Sequence, residues 1–223
     1  MKHWGRAHKR LAKILLALDM LSVVTGCSTD GYETGDGRYS YLRADFCMAH
    51  VTASKTVNYI LTDQGDTVHL ATPTTARWLP AADTLCRALA YYDNHTKQVF
   101  SLSQVMVTRP MDKTKADSAP TDPLTLESAW IGGGFLNVGF SVKSGKSDEV
   151  DTRQTIGLMV DSVKREDNHV SDVTLRMLHG QNNVPQYYTV KGYLSMPIPP
   201  EWQQARLTVV ANDYRGNLTL IAE

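Results

Sequence analysis

The residues of this 223-residue chain that could carry chemistry are three cysteines, a handful of histidines, scattered carboxylates and a run of three glycines. Beyond Gly26 the histidines are His50, His69, His95, His169 and His179. No two of them stand in HxH, HExxH or Hx3–5H spacing, and there is no CxxC. Those spacings place two zinc ligands on one turn or strand, so no local metal site is offered. GxSxG and SxxK, the common serine-nucleophile signatures, are also missing. Asp66, Glu166 and Asp167 stand in turn-forming clusters and read as solvated turn residues. An acid/base pair would need two carboxyls in opposed environments. Gly132-Gly133-Gly134 could line an anion with consecutive N–H groups, but that use needs a helix immediately afterwards. The next residues are Phe135-Leu136-Asn137-Val138, which are strand-like. The glycines are therefore expected to serve backbone geometry at the start of a strand. No catalytic residue, metal or cofactor is expected.

Cys47 and Cys86 leave two readings open. Outside the cytoplasm they could form a disulfide, and closing about 40 residues would contribute about 4 kcal/mol by chain entropy. The plainer reading is two independent thiols. Tyrosines such as Tyr59, Tyr91, Tyr92, Tyr187, Tyr188 and Tyr193 fall in β-like segments. They could form a stacking platform, although strand preference for aromatics accounts for most of them.

The elements that would position these residues are nearly all strands. Leu42, Ala44, Phe46 and Met48 alternate with Arg43, Asp45 and Cys47, the period of a half-buried strand. Val57–Leu61 and Thr67–Leu70 flank Asp63-Gln64-Gly65-Asp66, a hairpin signature. Leu85–Tyr92 and an alternating Val99–Val107 come next. Five strands over residues 39–110 predict an OB-like small barrel. Residues 111–125 carry Pro120, Pro123, lysines and aspartates, and read as a linker. From 126 to 223, short strands separated by turn clusters predict a β-sandwich of six or seven strands. The fold class is all-β: a barrel followed by a sandwich.

The segment from Met1 to Gly26 does not read as fold. Lys2, Arg6, Lys9, Arg10 and Lys13 precede a short apolar run, Ile14 to Val24. That is about half of a membrane span and matches a signal-peptide core. It ends in Val24-Thr25-Gly26-Cys27, which resembles a bacterial lipobox, although Asp19 is a departure within the apolar run. Cleavage before Cys27 and lipidation of its thiol are expected, with residues 27–38 as a Gly-rich tether. Lys+Arg and Asp+Glu are both 23. Loss of the leader removes five basic residues and one acid, leaving a net charge of about −4. That balance argues against a nucleic-acid binder and leaves the lipid at Cys27 as the membrane contact.

One resemblance spans nearly the whole mature chain. GYETGDGRYSYLRADF, VNYILTDQGDTVHL, VMVTRP and ESAWIGGGFLNVGFSV, in this order after a lipobox, resemble the NigD-like lipoproteins of Bacteroidetes. The resemblance implies an N-terminal OB-like domain, a C-terminal β-sandwich and a place in the cell envelope. It implies an outer-membrane lipid anchor, with the periplasmic or surface face left open. It supplies no catalytic residue. Bacteriocin immunity is the role suggested by the family's association with bacteriocin loci. The expected function is a non-enzymatic binding or structural module with a protein or glycan ligand. The alternative is an envelope glycan or peptidoglycan hydrolase.

Overall fold

A computed structural model of the chain describes residues 41–115, 119–146 and 152–222. The signal segment 1–26, Cys27 and the tether 27–38 lie outside the described residues.

The alternating N-terminal segments form five antiparallel strands: β1 (Leu42–Val51), β2 (Val57–Thr62), β3 (Thr67–Thr74), β4 (Thr84–Asp93) and β5 (Val99–Gln104). Their order in the sheet is β3-β2-β1-β4-β5. The sheet curls into a half-barrel, and its two edges approach where Ala71 N–H donates to Lys97 O at 3.1 Å. Inside it, Ala49, Val51, Ile60, Val68, Ala88 and Ala90 are buried. Small residues at 49, 88 and 90 let a tightly curved sheet close on itself. The odd positions of β1 from Cys47 to Val51 point inward. Phe46 and Met48 point outward, as does Arg87 opposite Met48 on β4.

The expected single strand Val99–Val107 is two. Val105 N–H donates to Arg87 O at 3.2 Å and the Val105 side chain is buried, which ends β5. Met106–Val107 then form β6, which pairs in parallel with Leu194 and Ser195 in a different sheet. Two four-stranded sheets make up the remainder. One has the order β6-β11-β8-β7, with β7 (Thr125–Gly132), β8 (Phe135–Ser144) and β11 (Tyr188–Pro197). The other has the order β13-β12-β10-β9, with β9 (Thr155–Glu166), β10 (His169–Gly180), β12 (Arg206–Asp213) and β13 (Gly216–Ile221). Leu136, Val138, Leu158, Leu175, Leu194 and Leu207 fill the core. Core residues recur at every second position of β8, β10 and β12, which is what two facing sheets require.

The described parts of the proline-containing stretch, 111–115 and 119–125, are laid along the sandwich. Met111 N–H donates to Leu158 O at 2.8 Å, and Val160 N–H donates to Met111 O at 2.9 Å. Further along, Asp122 N–H donates to His179 O at 2.8 Å, and Leu124 N–H donates to Asn212 O at 2.9 Å. Leu124 itself is buried. Charge adds to the backbone contacts here. Asp161 accepts from Lys113 at 3.1 Å and from Arg176 at 2.8 Å. Partial burial of Asp161 pushes its pKa up, but the two cations and their hydrogen bonds outweigh this and hold it below the usual carboxylate range.

The sign of that shift fixes a pH dependence. A carboxyl with a lowered folded pKa contributes stability above its unfolded value, and the contribution is lost as pH falls through the folded one. Replacing Asp161→Asn should lower the melting temperature at neutral pH. It should also flatten the fall in stability below about pH 4, the ordinary aspartate range. Thermal melts of wild type and variant across that window check both.

Candidate functional site

Polar side chains converge most strongly where the outer face of the half-barrel meets the sandwich. Arg87, on β4, projects from that face and its side chain is fully buried. Its Nη1 and Nη2 donate to the two oxygens of Asp63 at 2.5 and 2.6 Å, a fork-on-fork pair. Nη2 also donates to Asn137 Oδ1 at 3.0 Å, and Nε donates to Ser195 Oγ at 3.2 Å. Ser195 Oγ in turn donates to Asn137 Oδ1 at 2.6 Å. The guanidinium lies 4.3 Å from the ring centre of Phe135 and 5.5 Å from that of Phe46. Arg87 and Asp63 come from the barrel; Asn137 on β8 and Ser195 on β11 come from the sandwich. Beside them, Phe46 stands edge-on to Trp130 at 5.0 Å and to Tyr193 at 5.2 Å.

Local sequence explains each placement. Asp63 opens the turn from β2 to β3. Asp63 N–H donates to Phe46 O at 3.1 Å, and Gly65 takes φ +92° to close the turn. The glycine triplet lies against this carboxylate. Gly133 and Gly134, at φ +58° and +80°, are the two loop residues of the β7–β8 hairpin. Positive φ at both is the turn type that matches strand twist. A Cβ on Gly133 would collide with Asp63 Oδ1, and one on Gly132 would lie 2.8 Å from Oδ2. The glycines thus serve geometry, as expected, and the geometry in question is close approach to Asp63.

What this cluster can do chemically is limited by its own pairing. Both oxygens of Asp63 are held by Arg87, and only 8% of its side chain is exposed. A groove of about 380 Å³ touches Asp45, Phe46, Asp63 and Trp130. The second carboxylate in it, Asp45, accepts from Tyr92 Oη at 2.8 Å. Burial, with the hydrogen bond to Asp45 adding to it, raises the Tyr92 pKa. On the far side of Arg87 a groove of about 580 Å³ is lined by Met48, Trp78, Leu85, Val107 and Phe135, a mostly apolar surface.

The residues singled out by sequence are not gathered here. His50 stacks on Tyr59 at 4.6 Å, and its ring nitrogens lie 2.9 Å from Asn58 Oδ1 and from Asp83 Oδ1. His179 is buried, with Nδ1 donating to the carbonyl oxygens of Pro123 and Asp122 at 3.0 and 3.2 Å. Among the described residues no three His, Cys, Asp or Glu side chains gather to hold a metal ion. Cys47 and Cys86 are free thiols. They lie on one face of neighbouring strands, but Cys47 stands opposite Ala88 and Cys86 opposite Ala49, a diagonal offset. Such a diagonal spans roughly 7–8 Å, beyond the usual reach of a disulfide. The structure leaves Cys47 and Cys86 as separate thiols. Burial pushes the Cys47 thiol up to about 12, and the more exposed Cys86 is raised by burial as well.

Sequence reasoning missed Arg87 and Asp63. The available signal was a single charge at Arg87 within Leu85-Cys86-Arg87-Ala88-Leu89-Ala90, and two glycine-containing turns with no stated reason to meet.

With this geometry in hand, comparison with known proteins places the chain. A model of the NigD-like C-terminal beta sandwich domain matches residues 107–220, just over half of the chain. The chain belongs to the NigD-like family. The matched range begins at β6, where the backbone leaves the barrel for the sandwich. Among curated proteins nothing matches. Solved structures share the fold across both parts. A NigD-like immunity protein from Bacteroides caccae is 19% identical, with a TM-score of 0.60 over 80% of this chain and 91% of that one. A protein from Parabacteroides distasonis, provisionally named as toxin-related, is 19% identical, with a TM-score of 0.58 over 81% and 91%. A Bacteroides vulgatus protein of unknown function is 15% identical, with a TM-score of 0.57 over 81% and 89%.

The joint and the thiols each allow a direct check. Arg87→Met would leave the Asp63 carboxylate buried without its partner and should cost about 3–5 kcal/mol. Gly133→Ala meets the same carboxylate and a positive φ, and should cost about 1–3 kcal/mol. Gly134→Asn has open space and a residue that tolerates the left-handed region, so it should stay within about 0.5 kcal/mol of wild type. Urea unfolding of the three variants gives the ranking. For the thiols, a chain carrying Cys27→Ser should show Cys86 reacting with a maleimide in the native state. Cys47 should react only on denaturation, bringing the total to two thiols. A single reactive thiol, or none, in denatured unreduced protein would contradict this.

Proposed function

We propose that this NigD-like chain is a lipid-anchored envelope module that binds a ligand without transforming it, in the service of bacteriocin immunity. The observation that carries the reading is the closed state of the Arg87–Asp63 cluster. It is the strongest convergence of polar side chains among the described residues, and every one of its charges is turned inward. The guanidinium is fully buried, and both carboxylate oxygens are occupied. A cluster so arranged fixes two β units against each other and leaves the surrounding grooves as the contact surface. The immunity role is supported by the name of the B. caccae relative. The anchor is supported by Val24-Thr25-Gly26-Cys27 after a basic, apolar leader. It would hold the module at the outer membrane, with its face open.

The test is genetic. A strain lacking the chain should become sensitive to bacteriocin-containing culture fluid from strains related to it. The wild-type gene should restore resistance. Cys27→Ser should not, and its product should accumulate as uncleaved precursor or as soluble protein. Unchanged sensitivity in the deletion strain would remove the immunity role. Normal envelope fractionation and processing of Cys27→Ser would remove the anchor.

A further inference from the structure

We propose that the open end of the sandwich, away from the barrel joint, is a binding groove for a carboxylated glycan. This deepens the reading of the chain as a binding module and rests on it. The groove has a volume of about 710 Å³ and lies between the β12–β13 turn on one sheet and the β8 and β11 ends on the other. Its lining mixes apolar residues such as Val142 and Leu218 with charged, amide and hydroxyl side chains.

Two cations line it, Arg215 and Lys143. The Arg215 guanidinium has no hydrogen-bond or ion-pair partner among the described residues; other exposed arginines, such as Arg43, Arg77 and Arg165, share that state, and what distinguishes Arg215 is its place in this groove. Its backbone N–H donates to Asp213 Oδ1 at 3.1 Å, which closes the turn and leaves the side chain uncommitted. Lys143 Nζ donates to Thr189 Oγ1 at 3.0 Å, which holds the ammonium at the rim with further donors to offer. Asp213 is the one carboxylate in the lining, so the groove carries a net positive charge on a mature chain that is acidic overall.

Uncommitted cations alone would suit any anion. The rest of the lining narrows the choice. Tyr214 is 45% exposed and offers a flat ring with a hydroxyl at its edge. Asn217 and Thr189 offer both donors and acceptors. A sugar ring presents apolar C–H faces for an aromatic and hydroxyls for amides and side-chain hydroxyls. A carboxylate on that ring matches the planar fork of a free guanidinium. A site with a few placed polar groups, one aromatic and two cations fits a uronic-acid residue within a glycan.

The test uses the full-length lipoprotein in detergent, with a short oligogalacturonate as probe. Titration calorimetry should show saturable binding that weakens as salt is added. Arg215→Ala should lower the affinity about tenfold or more, the loss of a charge-assisted pair. Lys143→Gln should lower it in the same direction. Both are surface changes, and unchanged melting temperatures would show that the variants are folded. The methyl-esterified oligomer should bind about tenfold more weakly than the free acid, because the guanidinium loses its partner. Oligoglutamate, with the same charge and no sugar ring, should bind more weakly as well. The inference is overturned if the oligogalacturonate does not bind, if the ester or oligoglutamate binds as well, or if Arg215→Ala changes nothing. The probe is recovered and sized after incubation. Shortened oligomer would instead overturn the non-enzymatic reading beneath the inference, so the two failures are told apart.

Discussion

A guanidinium cannot be buried on a sheet face without acceptors, and this requirement at Arg87 organises the junction between barrel and sandwich. Removing a charge from water costs several kcal/mol, and a neighbouring apolar surface does nothing to offset it. Arg87 stands on the outward face of β4, where a lone strand would leave it in solvent. The sandwich covers that face and must therefore bring hydrogen-bond acceptors with it. Asn137 and Ser195 do this from β8 and β11, while the barrel supplies the countercharge from its own turn at Asp63. Phe46 and Phe135 close over the guanidinium and raise the strength of each polar contact by excluding water. The cluster specifies one docking arrangement, because a single-position slip of β8 or β11 would turn Asn137 or Ser195 to the opposite face.

The same requirement explains why β8 is buried on both sides. Leu136, Val138 and Phe140 face the sandwich core, while Asn137 and Ser141 on the other face are buried as well. A sheet with one face in solvent would show polar residues there, freely exposed. Here the polar face is covered, and Asn137 is fully buried as part of the Arg87 network. The glycines answer to this crowding. The β7–β8 hairpin turns directly under Asp63, and only residues without a Cβ allow both the turn geometry and the approach of the carboxylate. Two sequence stretches that look separately distinctive, around Asp63 and around Gly133, are thus two sides of one contact.

The elements legible in the sequence are those whose signal is local. Alternation from Leu42 to Met48, the Asp63-Gln64-Gly65-Asp66 turn and the alternating run after Gly134 all mark their elements within a short stretch of chain, although in β1 the face with Cys47 and Ala49, not that with Phe46 and Met48, lines the core. The backbone role of the glycine triplet was legible for the same reason, although its close approach to Asp63 was not. The misses depend on distant partners. Val99–Val107 alternates without interruption, yet Val105 turns inward and the chain changes sheets there, because β11 offers an edge that no local pattern reveals. Residues 111–125 have the composition of a tether. Their backbone groups nevertheless pair with Leu158, His179 and Asn212, since proline-containing segments can still cover a sheet edge with the N–H groups they retain. Cys47 and Cys86 share a face of neighbouring strands but sit diagonally, a register no sequence pattern reveals. Arg87 itself was invisible because its burial is created by strands that come much later in the chain.

The contrast between Arg87 and Arg215 separates architecture from the recognition proposed for this molecule. Both are arginines in β-rich surroundings, and neither stands out by spacing. Arg87 has spent its hydrogen-bonding capacity on Asp63, Asn137 and Ser195, so it can hold two units together but can receive nothing. Arg215 has no such commitments among the described residues and lines an open groove at the other end of the fold. A rigid joint is what makes the distant groove useful: β8 links the two, carrying Asn137 into the joint and Lys143 to the groove rim within one continuous strand. Fixing β8 at one end limits how far Lys143 can drift from Arg215 at the other. Preorganisation of that kind lowers the ordering cost of binding. On the proposed reading, the buried pair would contribute to recognition through rigidity, without touching a ligand.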